Sequence, residues 1–426
     1  MGSYLAVSLV VLLIAGLPMF IVMMFPCITS LSIFYPHIPP TVLMQRMIGG
    51  ISPFPLTAVP LFIFAADIML EGQMAKRLTD FAETLIGHFT GGLAHTTILA
   101  SLIFGAVSGS TQATVAAIGS NMYPSMLKRG YSKSFTTALI VNASDVSQLI
   151  PPSIFLIVYG VVSGTSIATL FAAGIVPGIF LALAFMTYSW YWAKKNNIPK
   201  TKRADWAQLK AATIHAAGPL GFVVIIIGGI YSGLFSPTEA AAIAVGYSFV
   251  LECFLYRSIK ITDLGSLALK SGTTTALVFV LIGGSEAFVW ILTIAQIPLQ
   301  VTQFILGLNP SPLILLVLLN ITFFIALMFF NPISAVLVIT PLFLPVTKAM
   351  GIDPVHLGIL ITLNAAIGSA TPPFGVDLFT ACAIFRIPFN IVVKGIFPFI
   401  ISGILVLILL TIFPGITLFL PRLLGV

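Results

Sequence analysis

The stretch LIVNASDVSQLIPPS, residues 139–153, begins as an apolar helix, acquires polar side chains and then stops at two consecutive prolines. A second stretch of the same kind, LITLNAAIGSATPPF at 360–374, follows 221 residues later. The same offset superimposes two further helix-punctuating positions, Pro124 on Pro345 and Gly130 on Gly351. Because prolines and glycines coincide in one register, we interpret the chain as two halves with the same architecture.

The composition restricts the class of protein. Only 7% of the 426 residues are charged, whereas 58% are hydrophobic and the mean hydropathy is +1.12. Soluble domains carry about one quarter charged residues, so only lipid can cover this surface. The net charge of +7 does not indicate nucleic acid as a partner, because the basic residues lie in short clusters between apolar stretches. The sequence predicts an all-α polytopic membrane protein in contact with membrane lipid.

Both halves show the same predicted order of elements. A spanning helix and an amphipathic stretch are followed by a re-entrant helical hairpin, a broken transmembrane helix and a single closing helix at 167–193 or 391–421. The predicted organisation is 1–54, N-terminal scaffold helices; 55–193, first repeat with hairpin 91–127 and broken helix 133–163; 194–212, cytoplasmic loop; 213–269, further scaffold helices; 270–426, second repeat with hairpin 311–349 and broken helix 355–385.

The basic residues predict the orientation of the two halves. If the loop at 194–212 is cytoplasmic, counting spans in both directions places 16 of the 19 lysines and arginines on the cytoplasmic side. The exceptions are Arg46, Lys348 and Arg422. Such a bias is typical of inner-membrane proteins. The same count opens the first hairpin to the cytoplasm and the second to the outside, so the repeats are predicted to be inverted, as in many transporters.

The helix breaks are the predicted binding sites. Irregular backbone at membrane depth is tolerated only where it is buried in protein or lines a cavity. Freed carbonyl groups can bind Na⁺, and the N-termini of half-helices attract anions. A single helix break is more often a structural kink than a binding site. Breaks at matching positions of two inverted halves favour a binding site instead. We therefore predict one Na⁺ site in each half, with a small anionic solute between them.

The candidate residues come from the hairpin tips and the broken helices. The first Na⁺ site is assigned to Ser108, Gly109, Ser110, Asn142, Ser144 and Asp145. The second is assigned to Phe330, Asn331, Asn364, Gly368 and Thr371. The solute site is assigned to Thr111, Gln148, Pro152, Ser153, Pro373, Gly375 and Asp377.

Acids inside a membrane are costly and indicate function by default. Asp145 and Asp377 are the strongest candidates because both lie in the breaks, where they could bind ion or solute, or only local hydrogen-bond donors. The acids without such a context are interpreted as packing or interface residues: Asp67, Glu71, Glu239, Glu252 and Glu286. The chain has no Ser-His-Asp, Cys-His, P-loop or metal-ligand constellation, so we do not expect an enzyme.

With these residues in view, the sequence resembles the large membrane subunit of TRAP (tripartite ATP-independent periplasmic) transporters. The stretches that carry the resemblance are GGLAHTTILASLIFGAVSGS (91–110), KRGYS (128–132), IPPSIFLIVYGVVSGTSIATLFAAGIVPG (150–178), SPTEAAA (236–242), TPLFLPVTKAMGIDPVHLGI (340–359) and ATPPFGVDLF (370–379). The resemblance implies an elevator-type, Na⁺-coupled importer in the inner membrane of a bacterium. It also implies a small four-helix membrane subunit, a periplasmic substrate-binding protein and a carboxylate, sugar acid or sulfonate as solute.

Other classes remain to be compared with this interpretation. The closest is a standalone Na⁺/anion symporter that needs no binding protein. A channel would need a continuous pore, which hairpins that stop at mid-membrane do not favour. An intramembrane enzyme would need a catalytic pair, and Asp145 with Asp377 is the only pair available.

Overall fold

The computed structural model describes residues 1–426 and is built from α-helices, with short 3₁₀ turns at Phe54–Thr57 and Ile261–Asp263 and a π-helical turn at Val250–Leu255. The helices of the first half and its N-terminal extension are α1 Gly2–Ile14, α2 Met19–Phe34, α3 Thr41–Ile51, α4 Ala58–Glu71, α5 Met74–Ile86, α6 Gly92–Ser108, α7 Thr111–Lys128, α8 Lys133–Leu149, α9 Ile154–Ser163 and α10 Ile167–Lys195. The remaining helices are α11 Trp206–His215, α12 Ala217–Tyr231, α13 Pro237–Phe249, α14 Leu264–Ile294, α15 Ile297–Gly307, α16 Pro312–Phe329, α17 Pro332–Ala349, α18 Pro354–Ser369, α19 Val376–Phe385, α20 Phe389–Lys394, α21 Phe397–Ile412 and α22 Pro414–Leu424.

The helix boundaries repeat with the offset seen in the sequence. Shifted by 221 residues, α7 falls on α17 at both ends, and α6, α8 and α9 fall on α16, α18 and α19 to within about a residue. Six helices are long and apolar enough to cross a membrane, or up to nine if each bent pair forms one span. The predicted fold class, two repeats that each contain a hairpin and a broken helix, is confirmed.

The two broken helices run antiparallel to each other. At one end, the Tyr159 hydroxyl near the end of α9 donates to the Pro354 carbonyl at the start of α18, at 2.7 Å. At the other end, α19 contacts α8, and Gly395 at the end of the short helix α20 that follows it abuts Ser134 at the start of α8. Since the end of each broken helix lies at the start of its counterpart, the two repeats have opposite directions. This is the inverted arrangement that the basic residues predicted.

Each hairpin packs across the boundary between the repeats. The second arm of the first hairpin, α7, lies against α19, and the second arm of the second hairpin, α17, lies against α9. Tyr123 of α7 stacks on Phe385 of α19 with ring centroids 4.6 Å apart. The hairpins and broken helices thereby form one packed bundle within a core of 82 buried residues, whereas α1, α2, α3 and α14 contribute most of a separate cluster of 11.

The helices around this bundle form a scaffold that includes the amphipathic helix α5. The Glu252 carboxylate accepts hydrogen bonds from the backbone N–H groups of Gln73 and Met74 at 3.2 Å, and from the Ser258 hydroxyl. Arg77 of α5 lies over the Tyr256 ring, 3.8 Å from its centroid. These contacts satisfy the start of α5 and tie it to the turn after α13, so Glu252 has the packing role expected for it.

Three segments differ from the sequence-based expectation. The single closing helix expected at 391–421 is divided into α20, α21 and α22, with a 68° bend before Pro414, because proline cannot donate the helical hydrogen bond there. The loop at 194–212 contains the start of α11, which begins with a capping box of Asp205 and Gln208. In the N-terminal segment the sequence predicts helical stretches at 4–16 and 18–35, and the structure adds a third helix, α3.

The inverted arrangement predicts opposite exposure of two equivalent surface lysines. Lys128 and Lys348 lie in the last turns of α7 and α17, and both are exposed. Each is replaced by Cys in a chain whose three native cysteines, Cys27, Cys253 and Cys382, are replaced by Ala. A membrane-impermeant maleimide added to intact cells is expected to label Lys348→Cys and to spare Lys128→Cys. Permeabilised cells serve as the control and should label both. Equal labelling of the two positions in intact cells would contradict the inverted topology.

Candidate solute and cation site

A cavity of about 320 Å³ lies where the hairpins meet the scaffold. The tip of the first hairpin contributes 108–113, the tip of the second contributes 331–333, and Gln148 comes from the first broken helix. The opposite wall is formed by α4 and α14, through side chains such as Ile63, Ala66, Thr274 and Val278. The tertiary structure thus brings both tips and one helix break to a single cavity.

The electrostatics of this cavity come mainly from backbone. Helices α7, α9 and α17 all begin in its wall, at Thr111, Ile154 and Pro332. The N-terminus of a helix carries roughly half a positive charge from its unpaired N–H groups. The lining contains no Lys, Arg or His side chain. A carboxylate in the cavity would therefore be attracted by helix termini instead of cationic side chains.

Asp67 of α4 is the one charged residue in the lining. Its Oδ2 accepts a hydrogen bond from the Ser271 hydroxyl at 2.5 Å, and its Oδ1 lies 3.5 Å from Lys270 Nζ. Lys270 is outside the lining and its side chain is 55% exposed, so its charge is largely solvated. From the sequence, Asp67 is interpreted as a packing or interface residue, because α4 has no helix break to single it out. No local pattern indicates that it lines the cavity.

The tip of the first hairpin is a tight, capped turn. Gly109 has φ of +59°, and a Cβ there would overlap the carbonyl oxygen of Pro152. Ser110 caps α7 by accepting from the Ala113 N–H, and Ser153 caps α9 by accepting from the Leu156 N–H. The Ser108 hydroxyl lies 3.2 Å from that of Thr114. The tip therefore rests directly on the break of the broken helix in its own half.

The remaining residues assigned to the first Na⁺ site point elsewhere. The Asn142 amide and the Ser144 hydroxyl donate to backbone carbonyls one turn earlier in α8, each at 2.8 Å. Asp145 is 1% exposed, and neither of its carboxylate oxygens has a hydrogen-bond partner. The structure thus places only the tip residues of this set in the cavity.

The residues assigned to the second Na⁺ site are also divided. Asn331 lines the cavity and caps α17 by accepting from the Ile333 N–H at 3.0 Å, with Phe330 just before it. Gly368 has no room for a side chain because Leu327 of α16 lies against it. Two more residues bind away from the cavity: the Asn364 amide donates to Asn320 at 2.9 Å, and the Thr371 hydroxyl donates to the Ile367 carbonyl at 2.6 Å.

Two of the seven residues assigned to the solute, Thr111 and Gln148, line the cavity. Asp377 is fully buried outside its lining and accepts a hydrogen bond from the Thr111 hydroxyl at 2.9 Å. Pro373 is exposed, and Gly375 packs against the backbone of Thr371 in the second break. Residues of the first break line the cavity and residues of the second break do not, because the cavity adjoins only the first break. The second half contributes the tip of its hairpin, including Asn331, from the other side.

Gly109→Ala tests the close contact at the first tip. The substitution adds a Cβ where the Pro152 carbonyl lies and also incurs the penalty of about 1–2 kcal/mol for a left-handed backbone. Gly130→Ala is the matched control, because Gly130 has φ of +86° but no atom within 4 Å of an added Cβ. We expect Gly109→Ala to lower the melting temperature of the purified protein clearly more than Gly130→Ala. Equal losses would show that the tip does not rest on the break.

Comparison with known proteins agrees with this architecture. The family described as tripartite ATP-independent periplasmic transporter, DctM component, matches residues 6–416. The large permease UehC of the ectoine/5-hydroxyectoine TRAP transporter from Ruegeria pomeroyi is 48% identical over 421 residues, which cover 99% of this chain and 98% of that one. The ectoine permease TeaC from Halomonas elongata is 48% identical over 422 residues, 99% of each chain.

A more distant relative and a solved structure extend the comparison. The sialic acid permease SiaM from Vibrio cholerae is 37% identical over 383 residues, which cover 89% of each chain. The YdaH transporter from Alcanivorax borkumensis has the same fold, with a TM-score of 0.62 over 88% of each chain at 14% identity. The chain therefore belongs to the tripartite ATP-independent periplasmic transporter family, as its large permease (DctM) component, and is a multi-pass protein of the bacterial inner membrane and not an enzyme.

Proposed function

We propose that this permease imports a small zwitterionic carboxylate of the ectoine type together with Na⁺, by an elevator movement of the hairpin bundle against the scaffold. A periplasmic binding protein delivers the solute, and a small four-helix membrane subunit completes the complex. Uptake of an organic acid follows from the family. The solute type, the Na⁺ coupling and the partners are the proposal.

The observation that carries the proposal is the position of the cavity. One wall consists of the two hairpin tips and a helix break, and the other consists of α4 and α14 of the scaffold. A solute held there lies between the hairpin bundle on one side and the scaffold helices α4 and α14 on the other. Sliding of one group along the other would carry the solute across the membrane without opening a continuous pore, which favours a carrier over a channel.

The charges around the cavity favour a solute with both signs. Three helix N-termini attract a carboxylate, while the Asp67 carboxylate on the opposite wall attracts a cationic group. A dianion would meet Asp67 with no cationic side chain in the lining to compensate. Ectoines are cyclic zwitterions with one carboxylate and one cationic ring, and the permeases of ectoine transporters are similar to this chain along nearly its whole length.

Na⁺ supplies the driving force in this proposal. The hairpin tips offer hydroxyl, amide and carbonyl oxygens, from Ser108, Ser110 and Asn331, which are the hard ligands that Na⁺ prefers. One Na⁺ carried with a neutral zwitterion moves one charge, and this is worth about 2.3 kcal/mol per 100 mV. That energy alone corresponds to roughly 50-fold accumulation of solute, since each 1.4 kcal/mol is a factor of ten.

Uptake into proteoliposomes tests the proposal as a whole. The complex of this chain with its small subunit, supplied with the binding protein, is expected to accumulate labelled ectoine when an inward Na⁺ gradient is present. Replacing external Na⁺ with choline should abolish accumulation, and an inside-negative potential should increase it. Undiminished uptake in choline would refute the Na⁺ coupling.

Omitting the binding protein from the same assay separates this proposal from the alternative of a standalone Na⁺/anion symporter. We expect no uptake without it, because the solute is supplied to the cavity by the binding protein. Saturable Na⁺-driven uptake by the two membrane subunits alone would establish the standalone mechanism instead.

Asp67→Asn tests the recognition of the cationic group. The side chain keeps its size and an oxygen that accepts from Ser271, but loses the charge that faces the cavity. We expect the KM for ectoine to rise about tenfold, as a loss of roughly 1.4 kcal/mol would produce. Glu71→Gln is the matched control, because Glu71 ends the same helix, is exposed and lies outside the lining. An unchanged KM in Asp67→Asn would exclude this contact.

A further inference from the structure

Two carboxylates lie in the interior of the hairpin bundle. Asp145 belongs to α8 of the first repeat, and Asp377 belongs to the first turn of α19 in the second repeat. They are 1% and 0% exposed, neither lines the solute cavity, and their helices α8 and α19 are in contact with each other. We propose that Asp145 and Asp377 together bind one monovalent cation, in a site that is shared between the two repeats and borders the solute cavity at Gln148.

The first argument is the set of buried oxygens without partners. Both carboxylate oxygens of Asp145, Oδ2 of Asp377 and Oε1 of Gln148 accept no hydrogen bond, and all three side chains are at least nine-tenths buried. A buried polar group without a partner costs about 1–3 kcal/mol, and a charged group costs more. These four oxygens, two from Asp145 and one from Gln148 at the first break and one from Asp377 at the second, are ligands of the kind that a small hard cation prefers.

The second argument is the absence of a basic partner in this part of the bundle. The Lys, Arg, His, Asp and Glu side chains on the other helices packed around the two acids lie towards helix ends. Along the helices, Lys133 is about 18 Å from Asp145 and Arg386 about 13 Å from Asp377, at 1.5 Å per residue. The others are Lys128 of α7, His95 of α6, Lys194 and Lys195 at the end of α10, Asp353 and His356 at the start of α18, and Lys394 of α20. A protein cation is therefore not available to neutralise the pair.

The helix ends place opposite potentials around the two acids. Asp377 lies in the first turn of α19, where the helix favours a negative charge, and the Thr111 hydroxyl holds its Oδ1 at 2.9 Å. Asp145 lies one turn before the end of α8, where the carbonyl groups favour a positive charge. A cation between the two carboxylates would be stabilised by both acids and by the end of α8.

The same hydrogen bond connects the cation site to the solute. Thr111 begins α7, lines the solute cavity and donates to Asp377. Neutralising the acid pair would change the acceptor that holds the tip of the first hairpin, so cation binding and solute binding should strengthen each other reciprocally. This consequence rests on the proposed function, because only a carrier needs the two to be coupled.

The test counts cations in the wild type, Asp145→Asn and Asp377→Asn. Equilibrium dialysis with ²²Na⁺ gives the number of ions bound per purified chain. Reversal potentials of the reconstituted complex, with its binding protein and ectoine, give the charge moved per solute. Both variants are expected to move one positive charge fewer than the wild type. If a variant that moves one charge fewer also binds one Na⁺ fewer than the wild type, the cation is Na⁺. If it moves one charge fewer but binds the same number of Na⁺ ions, the cation is a proton.

Asp353→Asn is the matched control, because Asp353 is an exposed cap of α18 and Asn also caps helices well. It should change neither count. Asp145→Asn is the decisive variant if Asp377→Asn misfolds, because Asp145 has no hydrogen bond to lose. The proposed site would be overturned if Asp145→Asn moved the same charge per solute and bound the same number of Na⁺ ions as the wild type.

The two measurements keep this inference separate from the proposed function. If the wild-type complex transports ectoine and Asp145→Asn keeps both counts, the cation site is wrong and the proposed function stands. If the wild type transports no ectoine, the number of Na⁺ ions bound per purified chain in dialysis still shows whether the site binds Na⁺. If the cation is a proton, the number of protons released by the detergent-solubilised protein after a pH jump is measured with an indicator dye. This number is compared between the wild type and Asp145→Asn. Equal Na⁺ counts and equal proton release would overturn the site.

Discussion

Every helix that is interrupted inside a bilayer leaves N–H and C=O groups that lipid cannot satisfy. In this permease the interruptions are closed by short polar side chains: Ser110 caps α7, Ser153 caps α9 and Asn331 caps α17. The first tip then rests on the first break through Gly109, where the Pro152 carbonyl occupies the space a side chain would need. Satisfying the interrupted backbone is thus what places hairpin tips and helix breaks together.

The cavity is a consequence of the same constraint. Helices that restart after an interruption direct their N-termini at it, so α7, α9 and α17 provide a positive potential without a basic side chain. The scaffold wall adds the opposite charge through Asp67. A site made of helix termini on one side and a carboxylate on the other differs from the arginine-lined sites that recognise dianions.

Inversion of the repeats explains why the functional contacts cross from one half to the other. Because the broken helices run antiparallel, α7 meets α19 and α17 meets α9. Thr111 of the first hairpin therefore donates to Asp377 of the second repeat, and α8, which carries Asp145 of the first repeat, is in contact with α19, which carries Asp377. Neither half alone could assemble this cluster, which gives a physical reason for the inverted pair to act as one unit.

The sequence by itself determined the membrane class, the repeat, the hairpins, the broken helices and the inverted orientation. These follow from composition, from proline and glycine positions and from the distribution of basic residues, all of which act locally or through the membrane. It did not determine which polar residues share a site. Asp67 lines the cavity although its helix has no break, the Asn364 amide donates to Asn320, and Asp377 accepts from Thr111 outside the cavity lining. Only the tertiary structure decided these pairings, because the rotation of each helix about its axis is set by packing against helices distant in the chain, and no local pattern encodes it.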